Sequence, residues 1–466
     1  MPSSVLFSIA AAAVLAFTVF IEFAIRRAWL PFFLGRKLLH VLAIGTTAWI
    51  IDLSPESRTL GFVLVAIGVF LMVVLLNFKW WLQQEFSYGI ALFPISLGAL
   101  LVLGASASWI ATAAWVLALS DASAGLVGRT WGAPKFNFLS ESKSYQGAFA
   151  FFATASIVMA VRFPDLHLGW WLLLSLIPTL TELFSWRGSD NFFLPIFTVG
   201  WIQLVLQSPY LGSWIGVLVG LAIVIFLAWF VRSRNWLDQT GSLAALWIAA
   251  ILWMSGGWKA LSAPIFLLVV GSVTGKLIRS THASEKRSAT QVFSNGLVGV
   301  ALYMLYGMTG QFHWLMLAWG SFAISVCDTI SSEVGVAVGG RTYNALTLRK
   351  MAPGLSGGIS LAGTAGGLAA LLLLVLFLGG ILPVSPIQLL WVLGTGFIGM
   401  LIDSILGSKW QALWRQGEAW SEVSNSSPQE VLVKGLPWLD NHWVNFLSNG
   451  ITMACSYLAY AWFFYE

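Results

Sequence analysis

Apolar stretches of roughly twenty residues follow one another along almost the whole chain, with short polar loops between them. Of the 466 residues, 58% are hydrophobic and 9% are charged, whereas about 25% of the residues in a soluble domain carry a charge. Such a chain has too little polar surface to cover a water-soluble core. We therefore predict an all-α polytopic membrane protein with about sixteen transmembrane helices.

The basic residues indicate which loops face the cytoplasm. All but three of the 24 Lys and Arg residues lie in alternate loops, and the exceptions are Arg58, Arg162 and Lys259. Because cytoplasmic loops carry the excess of Lys and Arg, we expect the basic loops inside and both termini outside. The apolar run from Val5 follows no basic region and meets no cleavage-like site, so we interpret it as a helix. With no transit peptide evident, a bacterial plasma membrane is the default location.

The polar residues of the first half recur in the second half at a nearly constant offset. This recurrence predicts two parallel eight-helix halves, residues 1–209 and 210–466, that arose by duplication or fusion. The alternative is that two unrelated bundles share a helix count. The corresponding pairs are Asp121 and Asp328, Ser144 and Ser356, and Asp190 and Asp403.

Cysteine content and charge exclude several classes of protein. Cys327 and Cys455 are the only cysteines, so the chain has no disulfide framework and no zinc-binding spacing. The net charge of +5 comes from basic residues at predicted helix ends, where a bilayer favours them. We therefore expect membrane lipid, and no nucleic acid, as a partner.

The first half places an acid at the cytoplasmic end of a predicted helix. Asp121 lies among small residues that extend to Gly128 and would let a metal ion or a phosphate approach the backbone. An intramembrane carboxylate costs roughly 2.5 to 3.5 kcal/mol on insertion scales, so it has a partner or a function. Asp121 is a candidate Mg²⁺ ligand. The alternative is close helix packing with Asp121 paired to Arg129.

The loop after Asp121 supplies cations and a helix start. Helix N-termini bind anions, so we predict that Lys143, Ser144 and Gly147 bind phosphate, with Arg129 as a further cation. Alternatively, Ser144 is only an N-cap and Lys143 only sets the topology.

Further candidates lie at the same membrane face. Asp190 would bind a second metal ion or accept the proton of an alcohol, with Asn191 beside it; the alternative is an Asx turn. Arg36 and Lys37 begin another cytoplasmic helix and are candidate phosphate ligands. His40 is either a hydrogen-bonded residue of that helix end or a catalytic group.

In the order and spacing of these segments, residues 35–200 resemble the phytol kinase and dolichol kinase family of integral membrane lipid kinases. The resemblance implies phosphoryl transfer, usually from CTP, to the hydroxyl group of a long isoprenoid alcohol. The segments are Gly35-Arg-Lys-Leu-Leu-His40, Ser120 to Gly128, Lys143-Ser-Tyr-Gln-Gly147, and Asp190-Asn191 with Pro195.

The second half carries its own acids on one predicted helix. Asp328 and Glu333 are five residues apart, which separates them by about 140° around a regular helix. A shared metal site requires the helix to unwind near Ser331 or Glu333; otherwise one acid faces a different partner.

A glycine-rich stretch and a long polar segment follow. Ser356, Gly357 and Gly358 could bind phosphate through backbone N–H groups, with Arg349 and Lys350 as charge partners; the alternative is a flexible turn. The segment from Leu406 to Trp443 is long enough to be functional, although its middle, from Gly417 to Gln429, is predicted to be a solvated excursion. Its flanks would bring further polar residues to the same surface: Asp403, Asp440, Asn441 and Asn445.

Residues 240–464 resemble the phytyl-phosphate kinase family, which implies addition of the second phosphate. Cys327 and Trp410 depart from the family pattern without touching the carboxylates. The motifs are Lys286-Arg287 with Gln291 and Asn295, Asp328 with Ser332-Glu333 and Gly335, Ser356 to Gly358, Asp403 with Gly407 and Gln411, and Asp440-Asn441 with Asn445.

Together the two resemblances imply a bifunctional kinase that converts phytol or a similar prenol to its monophosphate and then its diphosphate, with CTP as the expected donor. Mg²⁺ would bind Asp121 and Asp190 in one site, and Asp328, Glu333 and Asp403 in the other. The alternatives are a cytidylyltransferase that forms a CDP-lipid and a secondary transporter. The sequence does not fix the prenol length, the nucleotide or the oligomeric state.

Overall fold

The computed structural model describes the chain as two compact units, Met1–Leu206 and Gln207–Glu466. We treat each unit by itself. The predicted boundary between residues 209 and 210 lies outside the described residues. Those residues are 16–54, 58–77, 89–133, 135–138, 141–185, 188–207, 214–278, 286–382, 384–416, 419–422 and 430–464.

The first unit is helical, with one short hairpin in a basic loop. The hairpin pairs β1 (Lys135–Phe138) with β2 (Glu141–Ser144) in antiparallel fashion. The helices are α1 (described over residues 16–26), α2 (Phe32–Leu53), α3 (Arg58–Asn77), α4 (Gly89–Val102), α5 (Ala107–Thr130), α6 (Tyr145–Arg162), α7 (Leu168–Phe184) and α8 (Asp190–Gln207).

Helix α5 forms the core of this unit and packs against α2 and α6. One face of α5 is fully buried from Ile110 to Leu117. An ion pair closes the end of the unit away from the hairpin: Arg162 at the end of α6 donates two hydrogen bonds, of 2.8 and 2.7 Å, to the carboxylate of Asp52 on α2. The same arginine donates to Thr112 on α5 at 3.0 Å, which ties the three helices together.

The second unit has the same general composition of helices joined by small sheets. Its helices are α9 (Trp214–Ser233), α10 (Gln239–Ile278), α11 (Ala289–Thr309), α12 (Phe312–Val338), α13 (Leu361–Ile381), α14 (Pro386–Lys409) and α15 (Asn441–Phe464). Its strands are β3 (Thr342–Asn344), β4 (Lys350–Met351), β5 (Gly358–Ser360), β6 (Leu413–Gln416), β7 (Ala419–Ser421) and β8 (Val431–Lys434).

The predicted membrane class is confirmed. Among the described residues, seven helices are long and apolar enough to cross a membrane, namely α2, α5, α10, α11, α12, α13 and α14. The apolar pattern predicts two helices in the range of α10, residues 242–257 and 261–278. Helix α10 is indeed broken at Gly257, whose φ of 62° and ψ of −150° are not helical. The total of sixteen spans and the orientation in the membrane stay predictions.

The polar loops contain sheets that helical periodicity does not reveal. In the second unit, β3 lies between β4 and β5, and β6 lies between β7 and β8, all antiparallel. The segment predicted as a solvated excursion therefore lies between β6 and β8 and contains β7. Residues 417–418 and 423–429 lie outside the described residues. These sheets order the loops that carry most of the candidate site residues.

Helix α12 is the centre of the second unit. It contacts α10, α11, α13, α14 and α15, and its side chains are buried almost without interruption from Leu315 to Cys327. Glycine allows α13 to approach closely, because a Cβ atom at Gly367 would lie 2.8 Å from the Cys327 carbonyl oxygen and 2.9 Å from Ser331 Cβ. This contact fixes α13 against the part of α12 that carries Asp328.

We expect Gly367→Leu to lower the thermal-unfolding midpoint of the detergent-solubilised protein, since overpacking a closely packed contact costs about 1 to 3 kcal/mol. Gly380→Leu in the same helix is the matched control, because a Cβ atom there has no neighbour within 4 Å. Equal midpoints for the two variants would contradict close packing of α12 and α13 at Gly367.

Candidate functional site

In the first unit, Asp121 is held by two basic side chains of α2. Lys37 Nζ lies 2.8 Å from Asp121 Oδ2 and also donates to the backbone carbonyl of Asp121 at 3.2 Å. His40 Nε2 lies 3.2 Å from the same carboxylate oxygen. Lys37 and His40 are one helical turn apart, so one face of α2 presents both to α5. The sequence identified these residues but not their pairing.

A second ion pair, between Lys143 and Glu182, interacts electrostatically with Asp190, as Asp121 does. Lys143 on β2 donates to the carboxylate of Glu182, near the end of α7, at 2.7 Å and to its carbonyl at 3.2 Å. Asp190, the first residue of α8, interacts electrostatically with Asp121, Glu182 and Lys143. We call Lys37, His40, Asp121, Lys143, Glu182 and Asp190 the first cluster.

Other predicted residues of this unit lie at its edge. Arg129 stacks over the ring of Phe33, 4.4 Å from its centroid, and the alternative pairing of Arg129 with Asp121 is not what the structure shows. Asn191 accepts a hydrogen bond from Ser96 through its backbone carbonyl, and its side-chain oxygen is buried without a partner. The charge of Arg36 acts on His40.

Ser144 caps α6, as the simpler interpretation of this residue expects. Its hydroxyl oxygen accepts from the N–H of Gly147 at 3.2 Å. A Cβ atom at Gly128, on α5, would lie 3.1 Å from that hydroxyl and 3.6 Å from the Cα of Gly147. Glycines at both positions therefore let α5 meet the start of α6, seven residues after Asp121.

The second unit repeats this arrangement. Ser360 caps α13 by accepting from the N–H of Gly363 at 3.1 Å. A Cβ atom at Gly335 would lie 3.0 Å from the Ser360 hydroxyl and 3.5 Å from the Cα of Gly363, and Gly335 follows Asp328 by seven residues. The structural counterpart of Ser144 is thus Ser360. The sequence spacing had paired Ser144 with Ser356. The shared geometry supports a common origin of the two units.

Two acids of the second unit line one polar cavity. Asp328 on α12 and Asp403 on α14 interact electrostatically and border a space of about 790 Å³. We call it the carboxylate cavity. The capped start of α13 also faces this space through Ser360, Gly363 and Thr364, as does Asn441 at the start of α15. Oxygen ligands, backbone N–H groups and a helix N-terminus therefore converge there.

Residues of α15 hold Asp403 in place. Ser448 donates to Asp403 Oδ2 at 2.8 Å. With its amide nitrogen facing Asp403, Asn445 donates to Asp403 Oδ2 at 3.2 Å, and its amide oxygen then lies 3.1 Å from the side chain of Asn295 on α11. Asn295 and Asn445, predicted from separate motifs, thus meet beside Asp403. Sequence reasoning missed Ser448, although it lies one turn after Asn445 on the same helix.

Ser356, Gly357 and Gly358 form one wall of the carboxylate cavity, and we call them the serine–glycine loop. The loop already binds an anionic group. Glu422 accepts from the N–H of Ser356 at 2.6 Å and from its hydroxyl at 2.7 Å, while Gln411 donates to the same carboxylate at 3.0 Å. Sequence reasoning missed Glu422, whose position directly after β7 gives no local signal.

Lys434 on β8 is the cation that interacts with Glu422. It donates to the carbonyl of Gly407 at 2.9 Å. Burial lowers the pKa of Lys434, and the charge of Glu422 opposes that decrease. Its hydrogen bond to Gly407 places the Lys434 amino group close to the end of α14. The sequence motifs did not include Lys434.

Glu333 lies apart from the two aspartates of the carboxylate cavity. Its carboxylate oxygen lies 3.9 Å from a guanidinium nitrogen of Arg287, on the other side of α12. Burial lowers the pKa of Arg287, and Glu333 opposes that decrease. Because α12 does not unwind between Asp328 and Glu333, the two acids face different partners, as the helical angle requires.

The remaining predicted residues are peripheral. Lys286, Arg349 and Lys350 are exposed. Asp440 accepts from the N–H of Trp443 at 3.0 Å and thus caps α15.

The donor set of the carboxylate cavity fits Mg²⁺. No group of three or more His, Cys, Asp or Glu residues is arranged for a metal ion in the described part of the chain. Mg²⁺, however, is usually held by one or two carboxylates together with water and substrate phosphates. Asp328 and Asp403 supply such a pair. In the first cluster, Asp190 and the unpartnered side-chain oxygen of Asn191 are the corresponding groups, since Asp121 is engaged by Lys37 and His40.

Comparison with known proteins identifies relatives of part of the chain. Residues 222–453 match the family described as Integral membrane protein DUF92, and this range lies within the second unit. An uncharacterized membrane protein of Synechocystis sp. is 26% identical over 212 residues, which are 43% of this chain and 82% of that protein. A second uncharacterized membrane protein, from Methanocaldococcus jannaschii, is 26% identical over 211 residues, 44% of this chain and 87% of that protein.

A plant protein is also related. Protein VTE6, chloroplastic, from Arabidopsis thaliana is 28% identical over 200 residues, and the match covers 40% of this chain and 59% of the plant protein. No solved structure matches the chain. The matches establish a relationship to integral membrane proteins, while the resemblance of the first half to phytol and dolichol kinases stays a prediction.

The ion pair of Lys143 and Glu182 gives a test of the first cluster. We expect Lys143→Met to lower the stability of the solubilised protein by roughly 3 kcal/mol, because it leaves Glu182 buried without its cation. The double variant Lys143→Met/Glu182→Leu should recover part of the loss in a thermal-unfolding assay. Lys135→Met, at an exposed position of the same hairpin, is the control. A loss no larger than that of the control would rule out the pairing.

Proposed function

We propose that this membrane protein, whose second unit matches the DUF92 family, is a lipid kinase that phosphorylates an isoprenoid alcohol and then its monophosphate. The donor is a nucleoside triphosphate, with CTP as the expected one. The observation that carries the proposal is the carboxylate cavity, where Asp328 and Asp403 face the serine–glycine loop and the start of α13. The similarity to Protein VTE6 supports a phytyl-phosphate kinase-like role for the second step.

Phosphoryl transfer requires mainly positioning and charge stabilisation, and the cavity offers both. An oxygen of the prenyl monophosphate attacks the γ-phosphorus, the bond from that phosphorus to the β-phosphate oxygen breaks, and the nucleoside diphosphate leaves. Mg²⁺ would supply charge neutralisation to the triphosphate and would be held by Asp328 and Asp403. Free N–H groups at the start of α13 favour a phosphate oxygen nearby.

The first step differs because its acceptor is an alcohol. The hydroxyl oxygen attacks the γ-phosphorus and its proton must pass to a base. Asp190 is the acid of the first cluster whose carboxylate has no hydrogen bond or ion pair within the described part of the chain. Lys37 and Lys143 bring positive charge to the same cluster, although each is paired to a carboxylate. The first cluster thus contains a candidate base and cations for the transferring group.

Both steps in one chain would keep a membrane-bound intermediate close to its next site. Linked sites raise the effective concentration of such an intermediate without any new contact.

Membranes that contain the protein, incubated with Mg²⁺, CTP labelled at the γ-phosphate and phytol, should yield labelled phytyl monophosphate and diphosphate. Supplying unlabelled phytyl monophosphate in place of phytol should give labelled diphosphate only. If no nucleotide labels any prenol or prenyl phosphate, the kinase proposal is wrong. A CDP-lipid with release of pyrophosphate would identify a cytidylyltransferase instead.

The two acids should separate the two steps. We expect Asp403→Asn to accumulate the monophosphate and lower diphosphate formation by about a hundredfold or more, the size of effect seen when a group that stabilises transition-state charge is removed. Asp190→Asn should block use of the alcohol while leaving phosphorylation of added monophosphate intact. Asp165→Asn, at an exposed position, is the control. Loss of both steps in each single variant would argue against two independent sites.

A further inference from the structure

The second unit contains a second cavity, which is almost entirely apolar. It lies among α9, both segments of α10, α11 and α12. We call this space the apolar cavity. Its lining suits a hydrocarbon chain and disfavours a polar ligand as its main occupant.

Polar side chains occur at one end of the apolar cavity. Arg287, Gln291 and Asn295 line it, and they lie just before α11 and in its first two turns. The backbone of Arg287 is fixed, because its N–H donates to the Trp236 carbonyl at 3.2 Å and its carbonyl accepts from Asp238 N–H at 3.1 Å. The Arg287 side chain, 16% exposed, therefore starts from a fixed backbone position at the polar end. Arginine recognises phosphate oxygens through paired N–H groups.

This polar end adjoins the carboxylate cavity. Asn295 lines the apolar cavity, and its side chain meets the Asn445 amide that also reaches Asp403. On α12, Thr329 borders the apolar cavity while the preceding residue, Asp328, borders the carboxylate cavity. The two cavities are therefore neighbours on either side of α12, and the contact between Asn295 and Asn445 joins their walls.

We propose that the apolar cavity binds the isoprenoid tail of a prenyl monophosphate and that Arg287 binds its phosphate. The assignment deepens the proposed function and rests on it for the identity of the reaction. The apolar lining receives the tail and the guanidinium group receives the phosphate, so the two ends of the cavity set the direction of binding. Glu333, 3.9 Å from the guanidinium, holds Arg287 when no phosphate is present.

Small side chains leave the room that this tail needs. Ala228 on α9, Ala249 on α10 and Gly296 on α11 all face the cavity. A phenylalanine at position 228 would fill space that a long branched chain occupies. Ala222 provides a matched control on α9, because it is exposed and does not line the cavity.

The test uses full-length protein in lipid nanodiscs and a geranylgeranyl monophosphate probe with a photoreactive group at the end of its tail. We expect crosslinks in peptides of α9 and α10, displaced by excess phytyl monophosphate and not by phosphatidate. Ala228→Phe should lower labelling about tenfold or more, which corresponds to about 1.4 kcal/mol, while Ala222→Phe should match the unmodified protein. Equal displacement by phosphatidate, or equal labelling of the two variants, would overturn the assignment.

Kinetics separate this inference from the proposed function. Ala228→Phe should raise the KM for phytyl monophosphate about tenfold while leaving that for dimethylallyl monophosphate within about twofold, since only the long tail reaches the substituted position. Specific labelling without any phosphorylation would sink the kinase proposal and retain the binding site. Phosphorylation with unchanged KM in Ala228→Phe would retain the kinase and place the tail elsewhere.

Discussion

Removal of carboxylates from water is the constraint on which both candidate sites depend. A buried carboxylate is unstable unless charge or hydrogen bonds compensate for its lost hydration. In the first unit, basic side chains do so: Lys37 and His40 lie at 2.8 and 3.2 Å from the Asp121 carboxylate, and Lys143 pairs with Glu182. In the second unit, Asp403 accepts hydrogen bonds from the Ser448 hydroxyl and the Asn445 amide, and it interacts electrostatically with Asp328. Neither aspartate has a Lys or Arg within ion-pair distance in the described part of the chain. A divalent cation bound by Asp328 and Asp403 would offset the repulsion between the two carboxylates.

The two units use one local design with different partners. Each has an aspartate on a long helix, a glycine seven residues later, and a serine-capped helix start packed against that glycine. The design brings a helix N-terminus to the glycine about two turns after the aspartate, where its free N–H groups favour an anion. The units then differ in the groups around that position, since the first has lysines and the second has the serine–glycine loop. Duplication followed by divergence of the loops stays our proposal for the origin of both the repeat and the differences.

Much of the fold could be predicted because apolar length and charge position are local properties of the sequence. The membrane class, the break in α10 at Gly257 and the opposite directions of Asp328 and Glu333 all follow from composition, glycine chemistry or helical geometry. The pairing of Lys37 with Asp121, the contact of Glu422 with Ser356 and the sheets of the polar loops join residues far apart in sequence. No periodicity records such contacts. The match of Ser144 with Ser356 was wrong because spacing could not distinguish a helix cap from a loop residue.

The contact between Glu422 and the serine–glycine loop bears on how a nucleotide would bind. The N–H and the hydroxyl of Ser356 both donate to this carboxylate, and Gly357, at φ 81°, adopts a conformation that favours glycine. The loop's donors are therefore aimed at an anion. A phosphate that used the same donors would have to displace Glu422, whose charge would then repel it unless Lys434 or a metal ion compensated. In the proposed reaction, binding of a triphosphate to this loop would therefore require movement of the β7 segment, whereas a phosphate at the start of α13 would require no such displacement.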